Sequence, residues 1–342
     1  MASRKRWGMA AAAALATWAG AGPAFGYVRT VTASGKVAYW PRPCVQMVFS
    51  LGDPPPALTA DEYLLAAQQA AAAWSASSIA CTAASLTISA SSEKAGDVAA
   101  DDVRRIIFRR DRWCRQPVPS DPTEDTCYPA SALAITSVFT SKQTGAIVDT
   151  DLEINAVHYS WGDLVAQPGK VQMSPPTVDL QNTLTHEFGH VFGFDHSCWD
   201  GVGTQGVDNA GMPIPRCGDS SVPAGTMAPV ITKQNDVSLR TLGASDVQGV
   251  CEVYPSNAGV VCANGSDADA SIPLGPGDTS GGGGCAYAAR QPSRPALPFL
   301  FLGAGLLVAI ARLSSKLRAP WLISTFSRCR TFGAFIRRTK RS

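Results

Sequence analysis

The sequence predicts an α+β domain over residues 27–255, and three observations predict it. Strand-length segments rich in β-branched and apolar residues are interspersed with stretches of helical composition, a mixture that fits α+β or α/β packing. Apolar residues make up 45% of the 342-residue chain and charged residues 16%, enough for a sizeable core and too apolar for global disorder. No internal repeat is visible, so one domain accounts for the span.

The elements follow in order. Residues 45–50 (Val-Gln-Met-Val-Phe-Ser) read as a strand. Thr59 or Asp61 caps a helix over 62–75, rich in Ala, Leu and Gln, with Trp74 near its end. Residues 84–90 and 103–109 read as strands. Residues 110–130 hold four prolines and two cysteines and read as a stapled loop. Residues 132–139 make a strand, Lys142-Gln-Thr-Gly145 a turn, and 146–155 alternate apolar and polar, the mark of a half-buried strand. A helix is expected over 177–193, after Pro175 and Pro176 and ending at Gly193. Another is expected over 244–253, with Val247, Val250 and Cys251 on one face.

Both ends of the chain read as addresses. Arg4-Lys-Arg6, an apolar run to about Ala19 and a small-residue site describe a secretory signal peptide over 1–26, cut after Gly26. Residues 256–295 form a Gly-rich linker carrying Cys285. Residues 296–311 are apolar and Arg312, Lys316 and Arg318 close them, so 296–318 read as a sorting or transmembrane segment with a basic stop. A basic tail, 319–342, follows, of a composition suited to an anionic membrane surface. Net charge agrees with this division. The formal total is +2, yet the stretch 27–289 holds all 27 acidic residues and 15 basic ones, a net of −12. An acidic body is a poor partner for nucleic acid, which is therefore excluded.

Ten cysteines fit export. With Cys285 and Cys329 assigned to the tail, eight remain, and in an exported chain they read as disulfides. Local pairing is the expectation: Cys44–Cys81, Cys114–Cys127, Cys198–Cys217 and Cys251–Cys262.

The chemistry gathers in Thr185-His-Glu-Phe-Gly-His-Val-Phe-Gly-Phe-Asp-His-Ser197. His186 and His190 are four apart, one turn on one helix face, and both imidazoles reach a single ion. Gly193 takes a positive φ, ends the helix and turns the chain back, which carries up His196 as a third ligand. Three His and one open position are the donor set of a catalytic zinc. Glu187 projects beside the ion without binding it and is placed as a general base. The chain has four His in all, and the fourth, His158, reads as an ordinary loop or strand-end residue.

H-E-x-x-H-x-x-G-x-x-H resembles the metzincin metalloproteases, and further segments resemble their matrixin branch. Ser197 follows the third His; Gly225-Thr-Met-Ala-Pro229 looks like the Met-turn, with Met227 beneath the metal; Leu242 to Tyr254 looks like the C-terminal helix; Ala132 to Phe139 looks like the edge strand. The resemblance spans about 40–255. It implies a zincin-like domain: a twisted, mostly parallel sheet with an antiparallel edge strand, packed on two long helices, with a third helix at the C-terminus. It also implies a monomeric, secreted or surface-anchored endopeptidase that hydrolyses peptide bonds with one Zn2+ and Glu187 as base. Protein substrates would lie extended along Ala134, Ile135 and Thr136, with Pro229 in the wall of a specificity pocket. The linker, Cys285, apolar segment and basic stop resemble the C-terminal surface-sorting signals of myxobacterial exported proteins, which implies membrane contact before processing near Cys285.

Departures from the matrixin pattern narrow the expectations. With one spare His, the chain lacks donors for the second, structural zinc of animal matrixins. Calcium through Asp149, Asp151 or Glu153 is a weak candidate beside a solvated strand face. Pro215-Arg-Cys-Gly218 looks like the family's latency motif but follows the zinc helix, so Cys217 reads as a disulfide half. A catalytically silent surface protein stabilised by zinc is the alternative. The astacin branch is disfavoured because Pro229 stands where it carries Tyr.

Overall fold

The computed structural model describes residues 26–94, 96–115, 127–219, 225–231, 236–262 and 279–289. The signal peptide but for Gly26, the apolar segment 296–318 and the tail 319–342 lie outside them. Among the described residues, no helix is long and apolar enough to cross a membrane.

In chain order the elements are β1 (Val28–Arg29), β2 (Cys44–Ser50), α1 (Ala60–Ala73), β3 (Ser85–Ser91), β4 (Arg105–Arg109), β5 (Ala132–Ser141), β6 (Ile147–Asn155), β7 (Ser160–Gly162), β8 (Thr177–Asp179), α2 (Leu180–Val191), β9 (Phe194–Asp195), β10 (Val230–Ile231), α3 (Ala244–Val253) and β11 (Thr279–Ala289). A seven-stranded sheet runs β10-β11-β5-β6-β4-β2-β3. Strands β3, β2, β4 and β6 are mutually parallel. Strand β5 returns antiparallel to β6 through the turn at Gly145, where φ is +80°. The described residues are thus mixed α/β, with a mostly parallel sheet and three α-helices.

Local chemistry explains the helix starts. Thr59 caps α1 in a reciprocal box: its hydroxyl accepts from the Glu62 N–H and the Glu62 carboxylate from the Thr59 N–H. Helix α2 starts three residues later than the pattern suggested. Thr177 and Val178 pair as β8 with β7, and Asp179 then caps the helix by accepting from the Asn182 N–H at 2.8 Å. The α1 and α2 helices meet through Trp74, whose indole N–H donates to the Thr185 carbonyl at 2.7 Å and whose ring stacks on Phe194. One core of buried side chains, including Met47, Phe49, Leu133, Leu152, Phe188 and Phe192, lies between helices and sheet.

Three expectations are corrected. Strand β6 is buried at all nine positions rather than half-buried. Its polar face is covered by the 97–105 segment, whose backbone N–H groups reach the Asp149 and Asp151 carboxylates, and by Arg109 on Glu153. Strand β5, expected at the sheet edge, has β11 hydrogen-bonded on its outer side. The linker composition hid this strand, because Gly is disfavoured in strands.

Disulfide pairing is the third. Cys114–Cys127 and Cys198–Cys217 form as expected, but the other four pair as Cys44–Cys262 and Cys81–Cys251. The chain around α3 returns to the starts of β2 and β3, where the Ala83 N–H donates to the Tyr254 carbonyl and Ser256 N–H to the Cys81 carbonyl. That return sets Cys251 beside Cys81 and Cys262 beside Cys44, at Cα separations of 5.3 and 5.5 Å. Four disulfides are characteristic of an oxidising or extracellular compartment.

Candidate metal centre

Helix α2 presents His186 and His190 on one face, and Gly193 ends it with φ +80°. A Cβ at Gly193 would come within 2.9 Å of the Ala38 carbonyl oxygen, so the turn takes no larger residue. The last carbonyls of the helix are not left bare. Trp40 donates its indole N–H to Val191 at 2.7 Å and Tyr254 its hydroxyl to Phe192 at 2.8 Å. Beyond the turn, β9 pairs with β1 and delivers His196.

The three sequence-predicted ligands converge. The His196 Nε2 stands 3.2 Å from the Nε2 of both His186 and His190, and the three ligand atoms lie within 4.8 Å of one another. Two nitrogens bound at ~2.0–2.1 Å to one tetrahedral ion stand ~3.3 Å apart, so the two 3.2 Å separations are compatible with zinc. The opposite ring nitrogens set the tautomers. His186 Nδ1 lies 2.7 Å from the Thr226 carbonyl and His190 Nδ1 2.8 Å from the Phe194 carbonyl. A carbonyl only accepts, so each Nδ1 carries the proton and each Nε2 offers a lone pair inward. Burial holds all three imidazoles below their ordinary pKa, that is neutral, the state a metal requires. The Nε2 of His196 faces both of these lone pairs, and a divalent ion fits the donor set. Among the described residues this is the one such group of three or more His, Cys, Asp or Glu.

Glu187 is buried next to the first ligand. Its Oε2 accepts from the Thr136 hydroxyl at 2.5 Å, while Oε1 has no hydrogen-bond partner among the described residues. Burial pushes its carboxyl up to about 8, against the lowering effect of the Thr136 hydrogen bond. Met227 lies below the helix: a Cβ at Gly189 would come 2.1 Å from its Sδ, so the glycine inside the H-E-F-G-H segment is what admits it. The Met227 carbonyl accepts from the Ser197 N–H. Pro229 is buried just before β10. Ala134, Ile135 and Thr136 are buried in β5 between β6 and β11.

Asp149, Asp151 and Glu153 do not form a cation site. Their oxygens accept from backbone N–H groups of Ala99, Asp101, Asp102 and Arg105, from Arg109 and from the Tyr128 hydroxyl. His158 is exposed, with Nδ1 3.2 Å from the Asn155 Oδ1.

The supporting residues escaped sequence reading. Asp246 is buried in α3, and its Oδ2 accepts from the Thr226 N–H at 2.7 Å and the Gly243 N–H at 3.0 Å, so it fixes the turn whose carbonyl holds His186. An acid three residues after the Gly that opens a helix was the available signal. Asp179, besides capping α2, binds the Arg240 guanidinium, which also reaches Asp163. Thr136 was named only as part of the substrate strand, and its contact with Glu187 had no signal, since that partner lies 51 residues away. No protein-family model matches the chain, and no curated protein matches it.

Proposed function

We propose that the chain is an exported zinc-dependent endopeptidase of the matrixin-like metzincin type. The observation that supports it is three converging Nε2 atoms, those of His186 and His190 backed by carbonyls on Nδ1, beside a buried carboxylate whose Oε1 has no hydrogen-bond partner among the described residues. His186, His190 and His196 would hold Zn2+, which when bound supplies Lewis acidity to a scissile carbonyl and makes a water acidic near neutral pH. Glu187 removes the proton of the attacking water through Oε1 and delivers it to the leaving amine. Thr136 restrains the other oxygen, so the carboxylate keeps one orientation through both transfers. An extended peptide takes the antiparallel place beside β5, and Pro229 contributes to a pocket wall. The zinc-stabilised, silent alternative is disfavoured because a purely structural site takes four protein ligands and has no use for a free carboxylate. The predicted signal peptide, and membrane contact through 296–318, set the export route.

The test is metal analysis of the purified chain with a casein or gelatin gel, with and without chelator. Stoichiometric zinc and chelator-sensitive cleavage, abolished in Glu187→Gln while zinc stays bound, are expected. A zinc-loaded Glu187→Gln protein that cleaves as fast as the parent overturns the role of Glu187.

A further inference from the structure

We propose that residues 279–289 are the cleft's own occupant, a tethered strand that keeps external peptides out until it is displaced. The inference rests on the protease reading for what it regulates, but the pairing itself does not. Strand β11 runs antiparallel to β5 from Thr279 opposite Ser141 to Ala288 opposite Ala132, and places Cys285 opposite Thr136. Thr136 is the residue whose hydroxyl holds Glu187. On its other side β11 pairs parallel with β10, through Val230 opposite Ala288 and Ile231 opposite Ala289. Strand β10 begins three residues after Met227, in the segment whose Thr226 carbonyl holds His186. The tail strand therefore lies between the two backbone segments that fix the base and a metal ligand, where an extended peptide would have to bind.

Composition makes this occupant displaceable. Thr279-Ser-Gly-Gly-Gly-Gly-Cys-Ala-Tyr-Ala-Ala289 has no charge and four consecutive glycines. Glycine disfavours strand and packs no side chain, so the pairing gains little from propensity. The ladder also slips register between Ser280 and Gly283 and between Tyr287 and Ala288. Tethering supplies what the sequence withholds. Cys262 is fixed to Cys44, and sixteen residues separate it from Thr279. A linker of that length holds its end at an effective concentration on the order of millimolar, above the level of an ordinary substrate. A weak strand then competes well until the tether is cut or the strand pulled away.

The experiment uses the zinc-loaded full chain and a fluorescent free peptide of sequence 279–289. The variant is Gly283→Pro with Gly284→Pro. Successive N–H groups of a strand point to opposite sides, so two consecutive prolines remove at least one donor aimed at β5. The variant should bind the labelled peptide roughly ten-fold or more tighter than the parent. Equal binding overturns the proposal. Hydrogen exchange on the unaltered chain is the second measurement and does not depend on how the variant folds. Residues 279–289 should exchange more slowly than the free peptide, and equal rates overturn the proposal. Casein cleavage is read separately. A proline variant that binds peptide tighter but leaves casein intact upholds the occupant and refutes the protease.

Discussion

His186 and His190 on α2 are as buried as Asp149, Asp151 and Glu153 on β6, yet the two groups are finished in opposite ways. The carboxylates are answered from within: Asp149 by the N–H groups of Asp101 and Asp102, Asp151 by those of Ala99 and Arg105, Glu153 by Arg109 and Tyr128. The imidazoles of His186 and His190 each set Nδ1 against a backbone carbonyl, while each Nε2 meets only another imidazole nitrogen, that of His196, at 3.2 Å. Buried polar groups are normally satisfied. Ring nitrogens that converge on one another are a donor set that could hold an ion, whereas carboxylates met by N–H, guanidinium and hydroxyl donors are architecture. Burial alone separates neither.

The largest test of this contrast removes an imidazole. His190→Ala should abolish stoichiometric zinc, read by metal analysis, because two ligands do not hold the ion. Next, Glu187→Gln should keep zinc and lower turnover by about 10²–10⁴-fold, the usual worth of a general base. On the architectural side, Glu153→Ala leaves Arg109 without its buried partner. It should cost about 3–5 kcal/mol in denaturant unfolding with zinc stoichiometry unchanged. If that variant loses zinc instead, the separation of the two groups is false. Thr136→Val removes one hydrogen bond to Glu187, about 1.5–3 kcal/mol for a charged acceptor, and should lower turnover about ten-fold or more at constant zinc.

The smallest effect is a pH slope. Burial raises Asp151 to about 7, and its folded pKa therefore exceeds the unfolded value of about 4. The folded state binds the extra proton, so the contribution of Asp151 is full below pH about 4 and is lost as pH rises to about 7. The unfolding midpoint should fall across that window, and Asp151→Asn should flatten the fall. An unchanged slope in the variant would assign it to another group.

What could be read from the sequence was what one helix and one turn determine. His186, Glu187, His190 and His196 lie within eleven residues, so helical period and the Gly193 turn suffice to bring them together. The capping of α1 and the β5–β6 turn were legible for the same reason. Pairings set by the return of the chain were not. Cys81 meets Cys251 across 170 residues and Thr136 meets Glu187 across 51, and no local pattern carries either. Strand β11 was hidden because its glycines argue against the structure that its neighbours impose. The burial of β6 was misread because alternation records which face is polar, not whether another segment covers it.

The Cys44–Cys262 bond turns 219 residues into a covalent hoop that encloses every proposed ligand and the proposed base. One nick anywhere along the hoop leaves both fragments joined. A cut beyond Cys262 sheds the distal piece and leaves the hoop closed. Where proteases are abundant, such a molecule tolerates a first wound, and trimming beyond Cys262 shortens its end without opening the body.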